Sequence, residues 1–212
     1  MSGDMIEPEA CALLAELEAL LDTLASTDLS TLTGPPLLEL PGGWERHTRR
    51  GVVVQHALVA ELDSRRAAAD TGHHSTAALL SELLRLDPGA ARRRVRDAND
   101  FTTRVGLAGE PVPPVLPQTA QALRDGTIGI EHARAISDLF DHIPAYDTDA
   151  EAGIEAAALD AAAVCSPYRL RQWCVQAADR LNQDGTEPDD TVAQRQRGLH
   201  VIDQPDGTAK LT

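Results

Sequence analysis

The sequence is poor in aromatic residues, in lysine and in cysteine, and each shortage narrows the class of protein. It has two residues each of Phe, Trp and Tyr among 212, so Leu, Ala and Val must fill the interior, which suits closely packed helices. Only Lys210 of the 19 basic residues is lysine. The three cysteines, Cys11, Cys165 and Cys174, form no CxxC pair and lie in apolar helical patterns. They indicate buried thiols in a reducing cytoplasm rather than a disulfide framework.

Net positive charge and long apolar runs are absent as well. The formal charge is -14, which excludes a protein that coats nucleic acid or anionic lipid through bulk charge. No run approaches the roughly 20 apolar residues that span a bilayer, and no basic segment precedes the first apolar stretch. We therefore expect a cytoplasmic protein with no signal peptide and no membrane anchor.

What remains is a succession of helical patterns. Apolar residues recur at helical spacing in eight segments, which predict helices over 8–24, 44–70, 75–84, 88–103, 118–124, 130–142, 148–164 and 166–183. Proline and glycine predict loops over 26–43 and 105–117. The alternation in 198–212 around Pro205-Asp206-Gly207 predicts a hairpin. The predicted fold is all-α, a multi-helix bundle with a short C-terminal β-hairpin. Its domains are 1–183, helical, and 184–212, an acidic linker and hairpin that begin a region cut short.

Helix starts are marked by capping residues at three places. Ser75 precedes the third predicted helix, Asp87 precedes Pro88, and Ser166 precedes Pro167. On the third helix, the residues expected to face inward are Leu79, Leu80, Leu83 and Leu84. A capping side chain accepts a hydrogen bond from a free N–H group of the first turn, and proline fills the first helical position without loss. These restarts after short breaks favour antiparallel packing of neighbouring helices.

The segment 80–95 has roughly the spacing of a helix-turn-helix, a motif in which a small residue of the first helix lets the second approach. Ser81 is that small residue. The residues that match the apolar locking positions are Leu80, Leu84, Leu86 and Ala91, with Val95 one residue late. Arg85 occupies the turn position that usually needs a positive φ and is commonly glycine.

The second helix of this segment carries a basic face. At about 100° per residue, Ala91, Val95, Ala98 and Thr102 share the inner side, so Arg92, Arg93 and Arg96 point outward and Arg94 lies on the flank. Residues 85–104 carry six arginines against three aspartates, a net charge of +3 in an acidic chain. Two interpretations stay open: a surface that meets phosphates or base edges, or two ordinary helices whose arginines are simply solvated.

A second local pattern, residues 123–136, resembles the helix pair that follows the helix-turn-helix in plasmid-partition ParB-type DNA-binding proteins. In that interpretation His132 is structural, with its ring near the turn, and Ala133 and Ile136 pack inward. The alternative is a helix hairpin with a hydrogen-bonded histidine and no such ancestry.

Over most of its length the chain resembles the family called domain of unknown function 222, also known as the 13E12 repeat family. The segments that carry the resemblance are 58–72, 75–96, 123–136, 166–181 and 198–211. Members of that family commonly continue into an HNH nuclease domain, where histidines and an asparagine hold a divalent metal. This sequence has neither the paired CxxC elements nor the His-rich strand-turn-helix of such a nuclease, so we expect no enzyme activity, no metal and no cofactor in this chain.

Together these patterns predict a DNA-binding or DNA-positioning domain associated with HNH nucleases of mobile elements. DNA would be the partner, contacted through Arg92, Arg93 and Arg96 with Arg94 beside them. The alternative is a helical interaction or dimerisation module that binds a nuclease domain or a second copy through the hairpin and the alanine-rich helix. His73 and His74 lack further metal ligands nearby, so we expect a solvent-exposed loop pair rather than a metal site. Cys174 has no base placed to activate it, so it predicts no chemistry.

Overall fold

The computed structural model describes residues 6–106, 109–182, 201–203 and 209–211 of the chain. The fold is all-α with short antiparallel strand pairs. Its helices are α1 (Ile6–Ser26), α2 (Pro35–Ser64), α3 (Ala67–Asp70), α4 (Thr76–Leu83), α5 (Pro88–Phe101), α6 (Pro117–Asp125), α7 (Ile130–Asp141), α8 (Thr148–Val164) and α9 (Pro167–Leu181). The chain forms two units, Met1–Glu45 and Arg46–Thr212.

The first unit contains α1, a short 3-10 helix (Leu29–Thr31) and the part of α2 up to Glu45. The 3-10 helix is capped by Asp28, whose carboxylate accepts a hydrogen bond of 2.9 Å from the Ser30 N–H. The predicted loop over 26–43 is wrong in its second half, because α2 already begins at Pro35 and continues through Pro41. Prolines in a first turn lose no hydrogen bond, and an internal proline costs one bond without enforcing a break.

In the second unit, α2 ends earlier than the sequence predicts. The helix stops at Ser64 rather than near residue 70, because Arg66 adopts a left-handed conformation with φ of 54°. The four-residue α3 follows. The predicted cap at Ser75 is confirmed, since its hydroxyl accepts a hydrogen bond of 3.2 Å from the Ala78 N–H. Asp87 precedes Pro88 as predicted, but its side chain makes no capping bond, so that prediction is wrong in detail.

The core of the second unit consists of two apolar clusters. In the smaller one, α4 packs on α5 over the C-terminal part of α2, and its buried residues are Val59, Leu80, Ala91 and Ala98. In the larger one, α7 packs on α9, with α6 and α8 beside them. Its most enclosed large side chains are Leu123, Ile136 and Leu170. The two alanines that α8 contributes, Ala158 and Ala162, lie inside this core.

The connection between α5 and α6, predicted as a loop, contains a small strand pair. Strands β1 (Arg104–Val105) and β2 (Pro111–Val112) run antiparallel, with Arg104 opposite Val112. The C-terminal hairpin is confirmed by β3 (Val201–Asp203) and β4 (Ala209–Leu211), which pair with Val201 opposite Leu211. The predicted linker over 184–200 lies outside the described residues.

The cysteines differ from one another in burial. Cys174 is buried, as predicted, and Cys165 is half-buried, but Cys11 is exposed on α1. Its prediction as a buried thiol is wrong, because every described side chain of α1 from residue 9 onward is exposed. Among the helices that the structure describes, none combines the length and the apolar character needed to cross a membrane.

Candidate functional site

The connection between α4 and α5 is a tight turn centred on Arg85. The backbone N–H of Leu86 donates to the Ser81 carbonyl over 3.0 Å, and that of Arg85 to the Glu82 carbonyl over 3.4 Å. This bonding pattern is the Schellman motif, which requires a left-handed residue after the helix. Arg85 supplies it with φ of 53°. The chain therefore adopts the backbone that the turn demands, although the residue is not glycine.

Ser81 holds this turn from the first helix. Its hydroxyl donates a hydrogen bond of 2.6 Å to the Leu86 carbonyl, so the small residue closes the turn with its side chain as well as its backbone. Of the predicted locking residues, Leu80 and Ala91 are buried and Leu86 and Val95 pack against them. Leu84 is 44% exposed, so its assignment as a locking residue is wrong. Leu83 also faces solvent, contrary to prediction, because the cluster that α4 forms with α2 and α5 includes Leu80 but not Leu83.

Helix α5 presents three of its arginines to solvent, as its periodicity predicts. Ala91 and Ala98 are buried on the inner side, and Arg92, Arg93 and Arg96 are exposed. In the part of the chain that the structure describes, neither Arg92 nor Arg93 has a hydrogen-bond or ion-pair partner. These two guanidinium groups are therefore available to an external anion.

Arg96 is engaged within the protein. Its guanidinium forms an ion pair with Asp141 at the end of α7, and its Nε lies 3.6 Å from a carboxylate oxygen of Asp100. The hydrogen bond to Asp141 is the main cause that raises the pKa of Arg96 above its ordinary value. Among the outward arginines, Arg96 thus ties α5 to α7.

Arg94 lies on another side of α5. It is half-buried and lines an apolar groove of about 700 Å³ together with Leu58, Leu62 and Leu83. The structure therefore separates the four predicted site residues into an available pair, an anchored arginine and one beside the groove.

A buried ion pair fixes the orientation of α5. Asp97 accepts hydrogen bonds of 3.1 Å and 2.7 Å from the Nε and Nη2 of Arg134 on α7, and the Asp97 side chain is only 5% exposed. Burial disfavours the charged guanidinium, but Asp97 and Glu131 together outweigh this and the pKa of Arg134 is raised. Ser137 adds a hydrogen bond of 2.8 Å to Asp100. These contacts, with Asp97 buried and Arg134 half-buried, link α5 to α7.

The ion pair borders a small cleft between α5 and α7. The cleft has a volume of about 230 Å³ and opens beside the available arginines; residues that line it include Gly89, Arg92, Arg93, Arg96, Arg134 and Asp138. Asp97 and Arg134 do not stand out in the sequence, because no local spacing relates residues 37 positions apart. The one sequence feature that points to this pair is the position of Asp97, an acidic residue at the border between the inner and outer sides of α5.

The second predicted pattern forms the helix pair α6–α7. The turn between them contains Gly126 with φ of 70°, and a Cβ at this position would lie 2.7 Å from the Arg46 carbonyl oxygen. His132 is structural, as predicted: its Nε2 donates to the Cys165 carbonyl over 3.0 Å, while Ala133 and Ile136 are fully buried. Gly126 is therefore required both for its backbone conformation and for its close approach to α2.

Other chemically active groups do not assemble into a site. In the described segments, no three His, Cys, Asp or Glu residues are grouped so that they could hold a metal ion. His73, predicted to be a solvent-exposed loop residue, instead lies between Thr71 and Glu82, with hydrogen bonds of 3.0 Å to each. Burial raises the pKa of the Cys174 thiol to about 11, so it is protonated at neutral pH.

Comparison with known proteins gives one family and several relatives. The family model described as domain of unknown function (DUF222) matches residues 43–212. "Uncharacterized protein Rv1945" of Mycobacterium tuberculosis and "Uncharacterized protein Mb1179c" of Mycobacterium bovis are each 32% identical over 206 residues, 96% of this chain and 45% of theirs. "Uncharacterized protein Rv1128c" of M. tuberculosis is 33% identical over 202 residues, 93% of this chain and 44% of its own.

The chain thus spans less than half the length of these relatives. No solved structure matches it. The family model covers the whole second unit, including the turn at Arg85, the arginine face of α5 and the α6–α7 pair. The resemblance noted in the sequence is confirmed, and the chain belongs to the DUF222 family.

Proposed function

We propose that the second unit is a DNA-binding module in which α4 and α5 form a helix-turn-helix and α5 is the recognition helix. The observation that carries the proposal is the pair Arg92 and Arg93 on the outer side of α5, exposed and without partners in the described structure. Both lie in the first half of α5, the part of a recognition helix that approaches the major groove. Guanidinium groups in that position bind phosphate oxygens or a guanine edge.

The charge distribution supports this role in spite of the net charge of -14. Because the chain as a whole repels a polyanion, contact must be confined to a basic island, and α5 lies in such an island. Of the four arginines that the sequence predicted to contact DNA, the proposal keeps Arg92 and Arg93 as the DNA contacts. Arg96 acts by positioning α5 against α7, because its guanidinium already pairs with Asp141.

A binding experiment with matched charge changes tests the proposal. We expect Arg92→Ala/Arg93→Ala to weaken binding to a mixed-sequence DNA duplex at least about tenfold, measured by fluorescence anisotropy at fixed salt. The control is Arg169→Ala/Arg180→Ala, which removes two exposed arginines from one side of α9. That variant should bind as the unaltered chain does. Equal weakening in both variants, or no binding by the unaltered chain, would refute the proposal.

The length of the relatives suggests what the module is attached to. Because they extend well beyond the matched region, we propose that the module positions a further domain on DNA, and the family resemblance implies that this domain is an HNH nuclease. For the alternative interaction module, the surface that α8 could offer excludes Ala158 and Ala162, which lie in the core. The other surface of the interaction module would be the hairpin, whose side chains lie outside the described part of the structure.

A further inference from the structure

Helix α1 carries a continuous stripe of uncovered leucines. Each of its six leucines is at least 41% exposed, and Leu14 and Leu20 reach 63% and 67%. At about 100° per residue they fall within an arc of about 120°, the width of a helix face that packs against a partner. The stripe consists of Leu13, Leu14, Leu17, Leu20, Leu21 and Leu24.

The described residues of the first unit leave this stripe uncovered. From residue 9 to residue 45 no side chain is buried, and only Leu32 is even half-buried. A lone amphipathic helix is marginally stable in water, since most helical stability comes from packing of its apolar face. An exposed apolar face of this size marks an interaction surface.

The spacing of the stripe is that of a coiled coil. The 21 residues of α1 fit three heptads, with Ala10, Leu17 and Leu24 at the a positions and Leu13 and Leu20 at the d positions. Leu14 and Leu21 then occupy the e positions and widen the apolar face. This arrangement is self-complementary, so an identical helix is a suitable partner.

The charges of α1 exclude some partners and favour one orientation. The helix has no basic residue, so neither a DNA backbone nor an anionic membrane would cover it. In a parallel pair, Glu9 and Glu16 at the g positions lie beside Leu14 and Leu21 of the other copy. Carboxylates therefore do not face each other, and the methylene groups of the glutamates cover leucine. An antiparallel pair would bring the glutamates of the two copies together.

We propose that α1 forms a parallel coiled coil with α1 of a second copy of this chain. The proposal is independent of DNA binding. Two arginines are few contacts for a DNA-binding protein. A dimer presents two α5 helices and so doubles the number of arginines that meet DNA, as in dimeric helix-turn-helix proteins.

Light scattering coupled to size-exclusion chromatography tests association on the full chain. The unaltered chain should elute with twice the chain mass of 22.7 kDa at high micromolar concentration. Leu17→Glu/Leu20→Glu should elute as the monomer, whereas Ala12→Glu/Ala19→Glu adds the same charge on the opposite side of α1 and should remain a dimer. A monomeric unaltered chain would overturn the proposal and leave the stripe to a different protein. A dimer that survives Leu17→Glu/Leu20→Glu would overturn it too.

Disulfide trapping tests the orientation. In a Cys11→Ser background, Ala10→Cys places a thiol at an a position near one end of α1, where only a parallel pair brings the two copies together. Mild oxidation should then give a covalent dimer, while Cys11 in the unaltered chain, at an outward b position, should give far less. Failure of Ala10→Cys to link a chain that is dimeric by light scattering would refute the parallel arrangement. Loss of DNA binding in a chain that still dimerises would refute only the proposed function.

Discussion

Arg85 adopts a backbone conformation that is unfavourable for its residue type. Its φ of 53° lies in the left-handed region, which costs a residue with a Cβ on the order of 1 kcal/mol relative to glycine. The Schellman bonds at Leu86 and the hydroxyl of Ser81 hold the turn closed in spite of that cost. The sequence indicated the position of the turn but could not show whether arginine would adopt its backbone.

Replacing this residue tests the turn. We expect Arg85→Gly to raise the free energy of unfolding by about 0.5–1 kcal/mol, because glycine adopts a positive φ without strain. The measurement is urea denaturation followed by circular dichroism. Arg93→Gly, inside α5, serves as the control and should lower the same free energy by about 1 kcal/mol. A destabilising Arg85→Gly would mean that the left-handed turn is not present.

His56 is a buried histidine that the sequence analysis did not single out. It is 2% exposed, and its ring stacks on Phe101 with the centroids 6.1 Å apart. Burial lowers its pKa below the ordinary 6.5, the Asp97 carboxylate opposes this, and the Arg134 guanidinium reinforces it. The folded protein therefore keeps His56 neutral where the unfolded chain is already protonated.

This difference predicts a dependence of stability on pH. Because the pKa is lower in the folded state, the stabilisation is complete above about pH 6.5 and is lost as the pH falls through that value toward the folded pKa. We expect His56→Phe, which keeps an aromatic ring beside Phe101, to lose less stability on acidification than the unaltered chain. Urea titrations at several pH values measure it. The exposed His74→Gln should behave as the unaltered chain; if His56→Phe does so as well, this account of His56 is wrong.

At the scale of elements, helices with local start signals were predictable and buried faces less so. α8 spans Thr148–Val164 as predicted, because the alanine-rich pattern is long and Asp147 caps it with a hydrogen bond of 2.9 Å to the Ala150 N–H. The outward position of Arg92 and Arg93 also followed from helical periodicity. The engagement of Arg96 did not, because Asp141 lies 45 residues further along the chain and only packing brings them together.

The corrected face of α4 gives a further prediction. Leu80 is 2% exposed beneath α5, whereas Leu83, one turn on, is 63% exposed. We expect Leu80→Ala to lower the free energy of unfolding by about 2–5 kcal/mol and Leu83→Ala by no more than about 0.5 kcal/mol. Chemical denaturation of the two variants side by side measures the difference. Similar losses of stability in both variants would mean that Leu83 is buried as Leu80 is, as the sequence predicted.

Across the whole molecule, segments of different charge have different proposed roles. α1 has acidic and apolar residues and no basic ones, which suits association between copies. α5 combines a buried apolar side with Arg92 and Arg93, which have no partner among the described residues and suit an anionic ligand, and Asp97 with Arg134 links it to α7. Under the proposed function, the net charge of -14 would keep non-specific contact with DNA weak, so that binding would depend on a few positions.

The salt dependence of DNA binding reports how many phosphates the protein neutralises, so it tests whether α5 contacts the DNA backbone. The logarithm of the association constant should fall linearly with the logarithm of salt concentration, and each phosphate contact contributes a slope of about -0.9. If Arg92 and Arg93 contact the backbone, Arg92→Ala/Arg93→Ala should reduce the magnitude of the slope by about 2 for each bound chain. A slope that is unchanged in this variant, or an unaltered chain that shows no salt-dependent binding to DNA, would contradict the account.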